Sequence, residues 1–105
     1  MHFGLTESTI RKICAVFLKH PEIEKALIYG SRAKNNFRHS SDIDLTLVGG
    51  KELNPDLLFK ILGELDDLLL PYTIDLSILH KIENQDLIDH IARVGKVFYQ
   101  QAESR

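Results

Sequence analysis

A single cysteine, Cys14, stands in the whole chain. It excludes an intramolecular disulfide and a cysteine-rich zinc site. Charge of one sign is not in excess either: 13 Lys and Arg against 15 Asp and Glu leave a formal net charge of -2, which announces no nucleic-acid-binding surface. Apolar runs are short, and none approaches the roughly 18 residues that a membrane-spanning helix needs. Met1-His2-Phe3-Gly4-Leu5 has neither the basic region nor the apolar stretch of a signal peptide. Repeats, low-complexity segments and linkers are missing as well. These absences lead to the expectation of one cytoplasmic, globular domain over residues 1–105, with no membrane association. The hydrophobic fraction of 44% and charged fraction of 27% are ordinary for such a domain. A chain of this size buries roughly 65% of its unfolded surface, enough for one core.

What is present is strong local punctuation. Thr6 can cap a first helix, whose Ile10, Ile13, Cys14 and Phe17 fall on one face before Pro21. Glu22 to Tyr29 reads as a strand that Gly30-Ser31 breaks, and Ser31 is placed to cap a short helix through about Asn36. A polar loop leads to a second strand, Asp42 to Val48, ended by Gly49-Gly50. Asn54 caps the next helix with Pro55 at its first position, a favoured arrangement. Its apolar stripe is Leu57, Leu58, Ile61, Leu62 and Leu65. Tyr72 to Leu79 is a third strand, and a last helix runs from about Asn84 to Val94, with Leu87, Ile88 and Ile91 inward and Gly95 as its C-terminal cap. Val97-Phe98-Tyr99 adds a short strand or packs on the sheet, and Gln100 to Arg105 is expected to fray.

Alternation inside two strands carries more information than their existence. Ile43, Leu45 and Leu47 face one way, and Asp42, Asp44 and Thr46 the other; Ile74, Leu76 and Ile78 oppose Thr73, Asp75 and Ser77. A doubly wound parallel sheet would give nearly continuous apolar strands. The pattern predicts helices mainly on one face and an open polar face carrying the acids. A lone Asp-x-Asp more often marks a turn or a solvated strand edge. Asp75, in mid-strand between Ile74 and Leu76, shifts the balance, because Asp is depleted there. Three carboxylates gathered on neighbouring strands repel one another unless a cation lies between them.

Magnesium suits such a set, since it takes one or two carboxylates and completes its shell with waters and substrate phosphates. Two ions about 3.5–4 Å apart can bridge an attacking and a leaving oxygen. Asp42, Asp44 and Asp75 are therefore the candidate metal-binding and catalytic residues, with Asp75 also placed to take a proton from an attacking hydroxyl. Gly30 lets backbone approach a phosphate, and Ser31 offers a hydroxyl. Arg32 and Lys34 are candidates to neutralise nucleotide phosphates, with Arg38 and His39 behind them. The remaining histidines show no ligand spacing. Cys14 reads as a small core residue, Phe98 and Tyr99 as core or interface, and Ser77 as a polar position on the acid face.

Gly30-Ser31-Arg32-Ala33-Lys34, followed by Ser41-Asp42-Ile43-Asp44-Leu45, resembles the signature of the minimal nucleotidyltransferases, the smallest members of the DNA polymerase beta-like superfamily. The likeness extends over nearly the whole chain, through Asp75 to the closing Val94-Gly95-Lys96-Val97. It implies an α+β fold with a three- or four-stranded mixed sheet, Gly30 and Ser31 at the triphosphate, and Asp42, Asp44 and Asp75 at the metals. Family members often carry Arg-Gly where this chain has Lys34-Asn35. Asn tolerates a left-handed backbone, and Lys34 keeps the charge but loses the bidentate fork.

The resemblance further implies transfer of a nucleoside monophosphate from a nucleoside triphosphate, ATP favoured, to an acceptor hydroxyl, with magnesium as the ion. Larger relatives bind their acceptor with added domains, so a partner is expected to supply that surface here. In the resembled family the partner is commonly a small helical protein of the HEPN type, and some pairs are toxin–antitoxin systems in which the transferase adenylylates its partner. Nucleic acid is not the expected direct acceptor. Two rivals stand beside this reading. One is a catalytically weak module that neutralises or scaffolds its helical partner. The other is a phosphoacceptor signalling domain, whose five strand–helix units exceed what this chain supplies.

Overall fold

The computed structural model describes residues 2–102. Helix α1, Glu7–Leu18, starts where the Thr6 hydroxyl accepts the Thr9 amide at 3.1 Å. Strand β1 follows over Ile23–Tyr29, then the single-turn helix α2 over Gly30–Ala33. Strand β2 is Ile43–Gly49. Helix α3, Pro55–Asp66, begins with Asn54 accepting the Leu57 amide at 2.9 Å and Pro55 in its first turn. Strand β3, Ile74–Ile78, runs into a 3-10 turn at Leu79–Lys81. Helix α4, Gln85–Val94, is capped by Asn84, and strand β4 is Lys96–Gln100. The sheet order is β3-β2-β1-β4, with β2 and β3 parallel and the other two pairs antiparallel. The parallel pair needs a crossover, and α3 provides it.

One face of the sheet builds the core. Ile13, Val16 and Phe17 of α1 and Ile61 and Leu65 of α3 pack with Ile28, Ile43, Leu45, Leu47, Leu76 and Ile78. Phe98 and Tyr99 of β4 are buried in the same cluster, and Cys14 is half-buried beside it with Sγ 3.8 Å from the Phe98 carbonyl. Strand alternation sends the other side chains to the opposite face, where the registers align two rows across β1, β2 and β3. Tyr29, Asp44 and Asp75 form one row, and Leu27, Thr46 and Ser77 the next.

The short helix differs from expectation. Ser31 does not cap it: the chain leaves β1 at Gly30 with φ +74, Tyr29 takes the cap position without a side-chain bond, and Ser31 lies inside the helical turn. The turn ends by Asn35, whose φ of +64 is the left-handed conformation that Asn tolerates. Gly95 does cap α4, but with φ -63 and not in the left-handed form. Glycine is needed there for proximity, since a Cβ would stand 2.5 Å from the Ile91 carbonyl oxygen. The fraying expected from Gln100 onward does not include Gln100 or Gln101. Gln100 belongs to β4 and the Gln101 amide donates to the Glu24 carbonyl at 2.9 Å, while residues 103–105 lie outside the described residues.

The acid face is open where Asp42 and Asp75 stand exposed, but not throughout. Helix α4 lands on this side: His90 sets its ring edge-on to Tyr29 at 6.1 Å, and Tyr29 and Ile91 are buried away from the main core. Thr46, expected on an open polar face, is fully buried.

Candidate active site

The register brings Asp44 and Asp75 side by side on the parallel strands. Asp42 lies one residue before β2, is exposed, and stands near enough for its charge to act on Asp44. Burial, then the charges of Asp75 and Asp42, push the Asp44 carboxyl above the ordinary value, against a smaller pull from His90. The face thus carries an excess of negative charge. Among the described residues no three His, Cys, Asp or Glu side chains are close enough to grip one ion between them.

Gly30 meets Asp44 directly. A Cβ on Gly30 would stand 2.3 Å from Asp44 Oδ2, so a side chain there would displace the carboxylate. The sequence suggests that the freedom of Gly30 serves a phosphate; the structure uses it to seat Asp44. Ser31 is half-buried beside it, and Lys34 is exposed at the end of α2.

Arg32 requires a correction. Expected as a phosphate ligand, it is instead 2% exposed, and main-chain carbonyls take its donors. Nη1 donates to the Phe3 carbonyl at 2.8 Å, Nη2 to the Ser41 and His39 carbonyls at 2.9 and 3.3 Å, and Nε to the Ser41 carbonyl at 3.2 Å. The guanidinium carbon lies 5.1 Å from the centre of the Phe37 ring and 5.0 Å from that of Tyr72. Arg38 and His39 are exposed in the loop, where the Arg38 amide donates to Ser41 Oγ at 2.8 Å.

Sequence reasoning passes over two side chains that line this face, Tyr29 and His90. Tyr29 sits in the row of the acids, and burial raises its phenol pKa, helped by the Asp75 and Asp44 charges and opposed by the nearby Ser77 hydroxyl. His90 reaches the face from α4. Among the described residues Thr46 Oγ1 is buried without a partner, as is Ser77 Oγ, which forms no hydrogen bond of sound geometry with its neighbours. Strand parity alone places Tyr29 with Asp44 once the register of β1 against β2 is known. No local signal brings His90 there.

This sheet order, with acids paired across its parallel strands next to a glycine–serine turn, puts the molecule among the nucleotidyltransferases. The chain belongs to the polymerase beta nucleotidyltransferase family, whose model matches residues 11–104. Solved structures of similar fold include a toxin–antitoxin pair with AMP-PNP, 21% identical with a TM-score of 0.69 over 92% of this chain and 75% of the other. Another is a tri-AMPylated Shewanella oneidensis HEPN toxin in complex with MNT antitoxin, 17% identical, TM-score 0.67, covering 92% and 74%. A third is the toxin–antitoxin pair MntA–HepT, 18% identical, TM-score 0.66, covering 91% and 74%. At these identities the likeness establishes the fold. Among curated proteins no relative matches.

Proposed function

We propose that the chain is a metal-dependent transferase that moves AMP from ATP to a hydroxyl on a small helical HEPN-type partner, as the antitoxin of a toxin–antitoxin pair. The observation that carries this reading is the row in which Asp44 and Asp75 pair across β2 and β3, with Asp44 pressed against Gly30. The fold neighbours support the biological setting: one is a pair with AMP-PNP, and another holds a HEPN toxin already AMPylated.

The donor set suits magnesium by its chemistry. A carboxyl raised by burial and like charge is one that a cation would relieve. The lack of a closed cage fits an ion that draws much of its shell from water and phosphate. Asp42, Asp44 and Asp75 would share such ions with water and phosphate and would not enclose one between them; when bound, the metal would neutralise phosphate charge and make an acceptor hydroxyl more acidic. The turn at Gly30 and Ser31 receives the triphosphate, and exposed Lys34 neutralises its outer charge. Asp75 accepts the proton of the acceptor hydroxyl as its oxygen bonds to the α-phosphorus. The bond from that phosphorus to the bridging oxygen breaks, and pyrophosphate leaves.

The test is incubation of the chain and its cognate helical partner with α-labelled ATP and magnesium. Label is expected on the partner, and Asp42→Asn and Asp44→Asn each lower its rate by at least about a hundredfold, as the loss of a group that stabilises transition-state charge does. Undiminished labelling by either variant removes that residue from the catalytic role. Robust nucleotide addition to an RNA or DNA end by the chain alone contradicts the assignment of the acceptor. A partner neutralised without any label favours the binding-module reading.

A further inference from the structure

Arg32 joins the segments that lead to the three acids and the Gly30-Ser31 turn. It directly follows Ser31 in α2, its guanidinium binds the carbonyl of Ser41, the residue before Asp42, and it stacks on Tyr72, which leads into β3 and Asp75. It also binds the carbonyl of Phe3 in the N-terminal turn, while the Phe37 ring packs between Gly4 and the guanidinium. No carboxylate pairs with it among the described residues. Burying an unpaired cation is costly, and here three carbonyl dipoles and two ring faces offset the cost.

Arginine suits this position because its donors form a rigid planar fork that can serve several carbonyls at once while its faces stack on rings. An ammonium is a compact charge that cannot do both. The irregular stretch from Asn36 to Asp42 has no strand partner of its own, so its carbonyls at His39 and Ser41 depend on this side chain.

We propose that Arg32 is a positioning residue that fixes Asp42, and through Tyr72 the approach to Asp75, against the Gly30-Ser31 turn before any nucleotide binds. This rests on the reading of that face as the site, while its first test needs no activity. Arg32→Lys is compared with the parent by amide hydrogen exchange in the absence of nucleotide. The Arg38 and Ser41 amides, which are bonded within the loop, are expected to exchange about tenfold faster or more, with the β1–β2 ladder unchanged. In the transfer assay kcat falls about tenfold while KM for ATP moves less than about threefold, the mark of an interaction that acts on the reacting geometry. Unchanged exchange in the loop overturns the proposal. So does a KM raised tenfold at constant kcat, which marks direct binding of phosphate. If the parent chain transfers nothing, the proposed function fails and the exchange comparison alone decides. Should Arg32→Lys not fold, Tyr72→Leu removes one ring face and leaves the guanidinium; it is expected to speed the same two amides, and unaltered protection there also overturns the proposal.

Discussion

Residue by residue, the placement of the candidate site was legible where strand alternation restricts the choice and illegible where burial decides. The acids announced themselves because Asp75 is out of place in mid-strand, and Asn35 because a left-handed turn needs such a residue. Arg32 misled, since a basic side chain beside a phosphate-type turn is ordinarily exposed. Its partners Phe37 and Tyr72 lie five and forty residues further along the chain, and no local pattern joins them. The contact of Gly30 with Asp44 could not be read from the sequence, because it depends on how β1 registers against β2. Gly30→Ala must adopt a φ of +74, which costs about 1–2 kcal/mol for a residue with a Cβ, and must also push Asp44 aside. Thermal unfolding should show a midpoint lower by about 4–8 °C for each kcal/mol lost. An alanine variant as stable as the parent would mean that the carboxylate does not stand against Gly30.

Secondary elements were the most readable level. Caps at Thr6 and Asn54 lie where the sequence put them, α4 starts at the expected Asn84, and alternation in β2 and β3 assigned Ile43, Leu45, Leu47, Leu76 and Ile78 to the core face. Amphipathic periodicity says which side of a helix is buried but not which face of the sheet receives it. For that reason the placement of α4 over Tyr29 was not foreseen. A second contact between elements was equally hidden. His20, just beyond α1, and Glu64 of α3 meet at 2.7 Å, with Lys19 3.9 Å from the same oxygen. The hydrogen bond from His20, then the positive charges of His20, Lys19 and Lys60, hold the Glu64 carboxyl below its ordinary value against the effect of burial. A depressed carboxyl stabilises the fold above its unfolded pKa, about 4.3, and that contribution is lost as pH falls through the lower folded value. Glu64→Gln should therefore melt below the parent at neutral pH by an amount typical of a partly exposed pair, about 0.2–1 kcal/mol. The gap should close between about pH 4.3 and the folded value as the parent loses its charge. A gap independent of pH would show that the pair contributes through packing alone.

Across the whole molecule, one sheet serves two purposes: its inner face closes the core, and its outer face gathers negative charge that the pull of His90 offsets only in part. Mixed topology makes this possible, because the parallel pairing of β2 and β3 sets Asp44 level with Asp75 while α3 crosses on the core side. Such a face is where function opposes stability. A raised carboxyl works in the opposite sense to Glu64. The folded state gains from the Asp44 proton below the unfolded pKa of about 3.9, and the gain is lost as pH rises through the elevated folded value, so ionised Asp44 costs stability at neutral pH. In chelator at pH 7, Asp44→Asn should melt at the same temperature as the parent or higher, and its advantage should disappear below about pH 4. Magnesium with ATP should reverse the order, since ligand that binds only the folded parent stabilises it by about 2.7 kcal/mol at 100 times its dissociation constant. For a domain of this size that is a shift of roughly ten degrees or more. Four melting curves, each protein with and without ligand, decide the matter. An Asn variant that melts well below the parent in chelator would make Asp44 a structural residue, and equal gains from ligand in both proteins would remove it from the metal site.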